Sequence, residues 1–345
     1  MGRLDLIEKA RTFYNESANG DCRLRAFSQV SSFYGERIKE ENLFGLGAGL
    51  CLRTAVIPFK GQNFPALVGR TEDLEAMAFR KLGYKVDVLS YDPCSLQQGT
   101  LDPTIKDALK ENRPVLMECN VKKLSYVNNP NIGDNSRHII MILKYEEEAK
   151  GVIVIDSLTN KIEELSLDNL ILSHKDTGGE DRETVWYNLY PPRNKLENIE
   201  NIFLQSFIEL ENSYKKNTKD VDDFIFFLNK MYSSVNTEGK KNYVRTLVYL
   251  NCIFIRKLDE LYGTFYRSIY RIYLENIVAL DIFDLEDEIK SLKCIEEDWR
   301  EVSFKIRYKN KDILETTPDF IESIKKIKVA EKKLVTGLAN KARKG

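Results

Sequence analysis

Apolar positions along the chain follow two regimes, and the change comes near residue 195. Before it, short apolar runs are bounded by Gly, Pro, Asn and Asp. Leu24, Phe27, Val30 and Tyr34 recur at helical spacing between Asn19-Gly20-Asp21 and Gly35, which predicts a helix. Thr71 is a good N-cap, with Glu72 and Asp73 in the first turn and Gly83 at the stop. Lys85 to Leu89 reads as a strand, and Asp102 caps a helix that has Pro103 at its first position. The run PVLMEC, residues 114–119, predicts a buried strand, and a loop rich in Asn, Gly and Pro follows over 120–136. Loops this long inside a domain are usually functional. His138 to Leu143 and Val152 to Ile155 predict two further strands.

After residue 195 the apolar positions fall three or four apart. Leu196 to Tyr214, Val221 to Tyr232, Tyr243 to Leu258, Leu285 to Phe304 and Phe320 to Leu334 each predict a helix, with the many aromatics as their core. Pro191-Pro192 reads as a linker. The expected organisation is an α+β domain over 1–192 and an all-α domain over 193–345, with no internal repeat.

Length and composition fit this plan. A chain of 345 residues has room for two domains, and 43% hydrophobic with 30% charged residues is a globular composition. The net charge of −1 gives no electrostatic case for nucleic-acid binding. The opening MGRLDLIEKA is charged and predicts no signal peptide, and no run reaches the roughly 18 uncharged apolar residues of a membrane span. A reduced, cytoplasmic setting is therefore the expectation. Six scattered cysteines without a CxxC pair, and only two histidines, argue against a zinc site, and no metal is expected.

The candidate chemistry starts from the late strands. RHIIMILKY, the turn-like EEEAKG and VIVIDS form an antiparallel hairpin, and a turn centred on Glu147 sets His138 directly opposite Asp156. Directly opposed residues share a face with Cβ atoms about 4.5–5.5 Å apart, and a slip of one residue would separate them. Cys22 sits at the predicted start of a helix, where the dipole favours a thiolate and free N–H groups suit an oxyanion. Together the three make a nucleophile, base and orienter set. Each also has a plainer reading: a core cysteine, a structural strand-edge histidine, a turn aspartate. Cys119 is the second candidate nucleophile but lies mid-strand, and Cys51 reads as packing. His174 falls in the polar stretch SHKDTGGEDRE and reads as a solvated side chain. Gly45-Leu46-Gly47-Ala48-Gly49 lacks the GxGxxG spacing and reads as a tight loop rather than a nucleotide site.

The segment DCRLRAFSQVSSFYGERIKEENLFGLGAGLCLR resembles the opening of the butirosin biosynthesis protein H N-terminal family. GRTEDLEAMAFRKLGYKVDV, ALKENRPVLMECNVKKLSY and RHIIMILKYEEEAKGVIVIDS follow in the family's order, so the resemblance covers roughly residues 15–160. It implies a papain-like (C39-like) cysteine-protease fold followed by a helical C-terminal domain. It also implies a cytoplasmic acyltransferase of thiotemplated antibiotic biosynthesis. Such an enzyme takes an acyl group from the pantetheine thioester of a carrier protein and passes it to an amine, or to a diamine as in closthioamide assembly. No cofactor of its own is expected, because the phosphopantetheine arrives on the carrier. Carried over, Cys22 is the nucleophile, His138 the base and Asp156 the orienter. Papain-like enzymes place an oxyanion-hole glutamine about six residues before the cysteine. Here that position is Glu16, so Asn15, Asn19 or the backbone alone is the expected donor. Gly47 and Tyr126 are the expected substrate-lining positions. The same triad would serve a cysteine peptidase or other hydrolase, and the same fold would serve a non-catalytic scaffold that binds a carrier protein.

Overall fold

The computed structural model describes residues 21–91, 103–128, 137–159, 161–175, 184–192, 198–262, 264–308 and 313–344. In chain order the first part holds α1 (Cys22–Phe33), α2 (Glu40–Leu46), β1 (Leu50–Phe59), β2 (Gln62–Arg70), α3 (Leu74–Lys81), β3 (Lys85–Tyr91), α4 (Pro103–Lys110) and β4 (Val115–Asn120). It continues with β5 (Arg137–Glu146), β6 (Gly151–Asp156), β7 (Lys161–Ser166), α5 (Leu167–Lys175) and β8 (Thr184–Tyr190). The remainder is helical: α6 (Ile199–Asn217), α7 (Lys219–Ser233), α8 (Glu238–Tyr262), α9 (Arg267–Ala279), α10 (Glu286–Tyr308) and α11 (Ile313–Ala342). The class is thus mixed α+β, a sheet-bearing part and then a helical region. Among the described residues no helix is long and apolar enough to cross a membrane.

Two compact units result: Met1–Glu40 with Phe79–Leu196, and Glu41–Ala78 with Glu197–Gly345. A single boundary at residue 192 does not describe this grouping, because segment 41–78 clusters with the helices. The reason lies in the β1–β2 hairpin. Two strands alone are marginal in water. Leu50, Leu52, Phe64 and Leu67 are buried where the hairpin meets α6, α7 and α8. Asn251 on α8 accepts from the Leu67 N–H at 2.8 Å and donates to the Pro65 carbonyl at 3.1 Å. Arg267 is wholly buried, holds the Glu331 carboxylate, and donates to the Cys51 carbonyl at 2.9 Å.

The first unit is built on an antiparallel sheet of order β3-β8-β4-β5-β6-β7. Every residue of β4 is buried, as its near-continuous apolar run requires of a central strand. Met117, Cys119, Ile140, Ile142, Val152 and Val154 share one core with Ile105 of α4, Leu170 of α5 and Trp186 of β8. Helix α1 buries Leu24, Phe27 and Val30, with Phe27 edge-on to Tyr187 at 5.1 Å. Full burial of such a side chain contributes about 1.5–3 kcal/mol. The helix stops at Tyr34, and Gly35 takes φ +94°, a left-handed conformation that glycine adopts without a Cβ penalty.

Candidate active site

Cys22 is the first residue of α1 and is partly exposed. Asp21 is the N-cap: its Oδ1 accepts from the N–H of Arg23 at 2.9 Å and of Leu24 at 3.3 Å. The carboxylate that stands beside the thiol in sequence is therefore occupied by the helix end, a cap that contributes about 1 kcal/mol. Arg23 donates to the Glu118 carboxylate and the Tyr187 hydroxyl, which ties the first turn of α1 to β4 and β8. Helix α1 also packs on β5.

His138 is the second residue of β5 and pairs across the ladder with Cys119. Its Nε2 lies 2.6 Å from Asp156 Oδ1. Cys22 acts on the same imidazole and favours its charged form. With Nε2 committed to Asp156, Nδ1 is the other ring nitrogen. Asp156 is fully buried and also accepts from the Leu158 N–H at 2.7 Å on Oδ1 and from the Tyr126 hydroxyl at 2.8 Å on Oδ2.

These contacts set the charges. Burial alone pushes the His138 pKa down, but the hydrogen bonds and negative charge of Asp156 and Cys22 outweigh it and lift the value to about 10. Burial pushes Asp156 up, and its donors His138, Leu158 and Tyr126 hold its carboxyl below the usual range. At neutral pH the imidazole is a cation between a carboxylate and a sulfur.

The register that joins His138 to Asp156 differs from the expected one. Near the turn Glu146 pairs with Gly151 and Lys144 with Ile153, while further along Ile142 pairs with Val154 and Met141 with Ile155. A bulge between Ile142 and Lys144 separates the two registers. Continued unbroken, the turn-end register would pair Met141 with Asp156 and put His138 on the opposite face. The bulge restores the parity, because an extra residue in one strand flips the faces beyond it. Asp156 falls beside Ile140 rather than His138, so the two meet as diagonal neighbours, a separation that these side chains span.

Other expected positions resolve differently. Tyr126, an expected substrate-lining position, places its hydroxyl on Asp156 Oδ2. Gly47 was assigned to substrate lining too, but it is buried in the second unit, where a Cβ would collide with the Leu74 backbone. A Cβ at Gly45 would likewise strike the Tyr273 ring. The glycine-rich stretch is a packing device. Cys119 is fully buried and its thiol is pushed well above the usual range by burial and then by Asp156, Cys22 and Glu118, which removes it as a rival nucleophile. His174 is not solvated. It is fully buried on α5, accepts at Nε2 from the Trp186 indole at 3.0 Å, and faces the Glu118 carbonyl with Nδ1. Burial lowers its pKa to about 4, so it is neutral with the proton on Nδ1. Asn15 and Asn19 lie outside the described residues. The Arg23–Glu118 contact was not read from the sequence; a charged residue inside the apolar run PVLMEC was its only trace.

No curated protein matches the chain. Residues 21–157, a stretch that opens one residue before Cys22 and closes one residue after Asp156, match the family model of butirosin biosynthesis protein H, N-terminal. Over this stretch the chain is similar to the butirosin biosynthesis protein H N-terminal family, named for antibiotic biosynthesis.

Proposed function

We propose that the protein is a cysteine-dependent acyltransferase that forms amides in antibiotic biosynthesis, with Cys22 as nucleophile, His138 as proton carrier and Asp156 as orienter. The observation that carries this reading is the buried His138–Asp156 pair, Nε2 to Oδ1 at 2.6 Å, on an imidazole that Cys22 also influences. The family match supports a biosynthetic donor, the pantetheine thioester of a carrier protein in the cytoplasm. A helix that starts on the nucleophile and packs on an antiparallel sheet carrying the histidine and the acid also fits a papain-like architecture.

The chemistry runs in two halves. The Cys22 sulfur attacks the thioester carbonyl carbon, and the C–S bond to pantetheine breaks. The departing thiolate takes the proton from His138 Nδ1. The acyl group is then on Cys22, and the neutral imidazole is ready as a base. An amine attacks the acyl carbon and gives its proton to Nδ1. The Cys22 C–S bond breaks, the amide leaves, and Cys22 and His138 return to their starting state. Thioester exchange is nearly balanced in free energy and amide formation is downhill, so the second half drives the first. Asp156 keeps Nε2–H engaged throughout, which holds Nδ1 toward the sulfur and stabilises the cation.

The test is product partition. The protein is offered an acyl-pantetheine thioester with and without a primary amine or diamine. Amide that forms only with amine present, and not with Cys22→Ala, supports the reading. Release of free acid at the same rate with or without amine would make the protein a hydrolase.

A further inference from the structure

Asp156 presents two oxygens, and the structure separates their duties. Oδ1 takes His138 Nε2 at 2.6 Å and the Leu158 N–H at 2.7 Å. Oδ2 takes the Tyr126 hydroxyl at 2.8 Å. Without that hydroxyl, a fully buried carboxylate would keep Oδ1 pinned and lose a donor on Oδ2. Loss of a donor to a buried charged group is costly, so the carboxylate would turn to recover one. The ring of Tyr126 and the neighbouring Val127 pack against the sheet core, and the Val127 N–H donates to the Leu124 carbonyl at 3.0 Å. The hydroxyl is thus delivered from a turn anchored in that core.

The geometry points to Tyr126 as a positioning residue that fixes the plane of the Asp156 carboxylate and, through it, the aim of His138 Nδ1 at Cys22. The inference rests on the proposed roles of these three residues and gives Tyr126 a role other than the expected one of lining substrate. Burial and the adjacent Asp156 charge both raise the Tyr126 pKa, so its proton stays on the hydroxyl as a donor at any working pH. Charged and titratable groups that act on this cluster include Cys22 from α1, Cys119 and Glu118 from β4, and Glu163 from β7, and Lys161 pairs with Asp156 across the ladder.

The test uses the intact chain and needs no substrate. Only two histidines are present, so a protein labelled with 15N-histidine gives two ring systems. His138 Nε2–H should give a low-field proton resonance, with His174 Nδ1–H as the internal control. In Tyr126→Phe, which keeps the ring, the His138 resonance should broaden or move upfield, and His174 should not change. The donor favours the charged form of Asp156. Its removal should therefore raise the pH at which the resonance is lost on the acid side by about one unit. Site-specific 3-fluorotyrosine at position 126, a stronger donor of nearly the same shape, should move that limit the other way. It also answers for the Phe variant should that variant fold poorly. With acyl thioester and amine, Tyr126→Phe should lower kcat about tenfold with KM unchanged. An unchanged His138 resonance in both variants would overturn the inference, and so would a raised KM with unchanged kcat. Failure of the acyl-transfer reading has a different signature, a wild-type protein that shows the resonance and makes no amide.

Discussion

Replacing Asp156 by Asn removes a charge and keeps a shape. The Asn carbonyl still accepts from His138 and Leu158, and its amide turns to Tyr126, whose hydroxyl then accepts. Hydrogen bonds to charged groups contribute about 1.5–3 kcal/mol, so loss of the charge should lower the His138 pKa by about one to two units. Linkage makes this a statement about stability. In the wild type the folded His138 pKa, about 10, lies above its unfolded value near 6.5. The stabilisation is fully present below pH 6.5 and is lost as pH rises through about 10. The Asp156 share has the opposite sense: it is present above the unfolded carboxylate pKa of about 3.9 and is lost as pH falls through the lowered folded value. Urea midpoints measured from pH 6 to pH 10 should therefore fall for the wild type and fall less for Asp156→Asn. Equal alkaline slopes in the two proteins would refute the ion pair.

Other substitutions probe the surroundings. Arg23→Ala leaves the Glu118 carboxylate buried without this partner, so urea denaturation should show a loss of about 2–4 kcal/mol and Cys22 should alkylate more slowly. Cys119→Ala should leave the pH profile of Cys22 alkylation unchanged, because Cys119 is a buried, protonated thiol. Gly47→Ala forces a methyl against the Leu74 backbone and should cost about 1–3 kcal/mol or more in thermal or urea unfolding, with no selective effect on KM.

Much of the first unit could be read from local signals. The cap at Asp21, the stripe Leu24, Phe27, Val30 and the stop at Gly35 describe α1 nearly residue by residue, since each acts within one or two turns. The hairpin was legible only in part. Its two strands and the shared face of His138 and Asp156 were inferred correctly, but through a register without a bulge. The bulge reflects packing of the strands in the sheet, which the turn sequence does not encode. Strands β1, β2, β7 and β8 and helix α5 were not read, and with α5 went the burial of His174. In the helical half α9 was missed, and α11 starts at Ile313, before Pro318, whereas the sequence reading began at Phe320. Tyr126 shows the general limit. Its partner is 30 positions away in the chain, and nothing local distinguishes a tyrosine that holds a carboxylate from one that lines a pocket.

The central claim, that Cys22 accepts an acyl group, is tested most directly by intact mass. The protein is mixed with an acylated carrier protein in the absence of amine, quenched in acid and weighed, and the modified peptide is then located. The account predicts one added acyl group on Cys22 in the wild type, its disappearance on addition of amine, and no adduct with Cys22→Ala. An adduct that persists in Cys22→Ala, or one mapped to another residue, would contradict it.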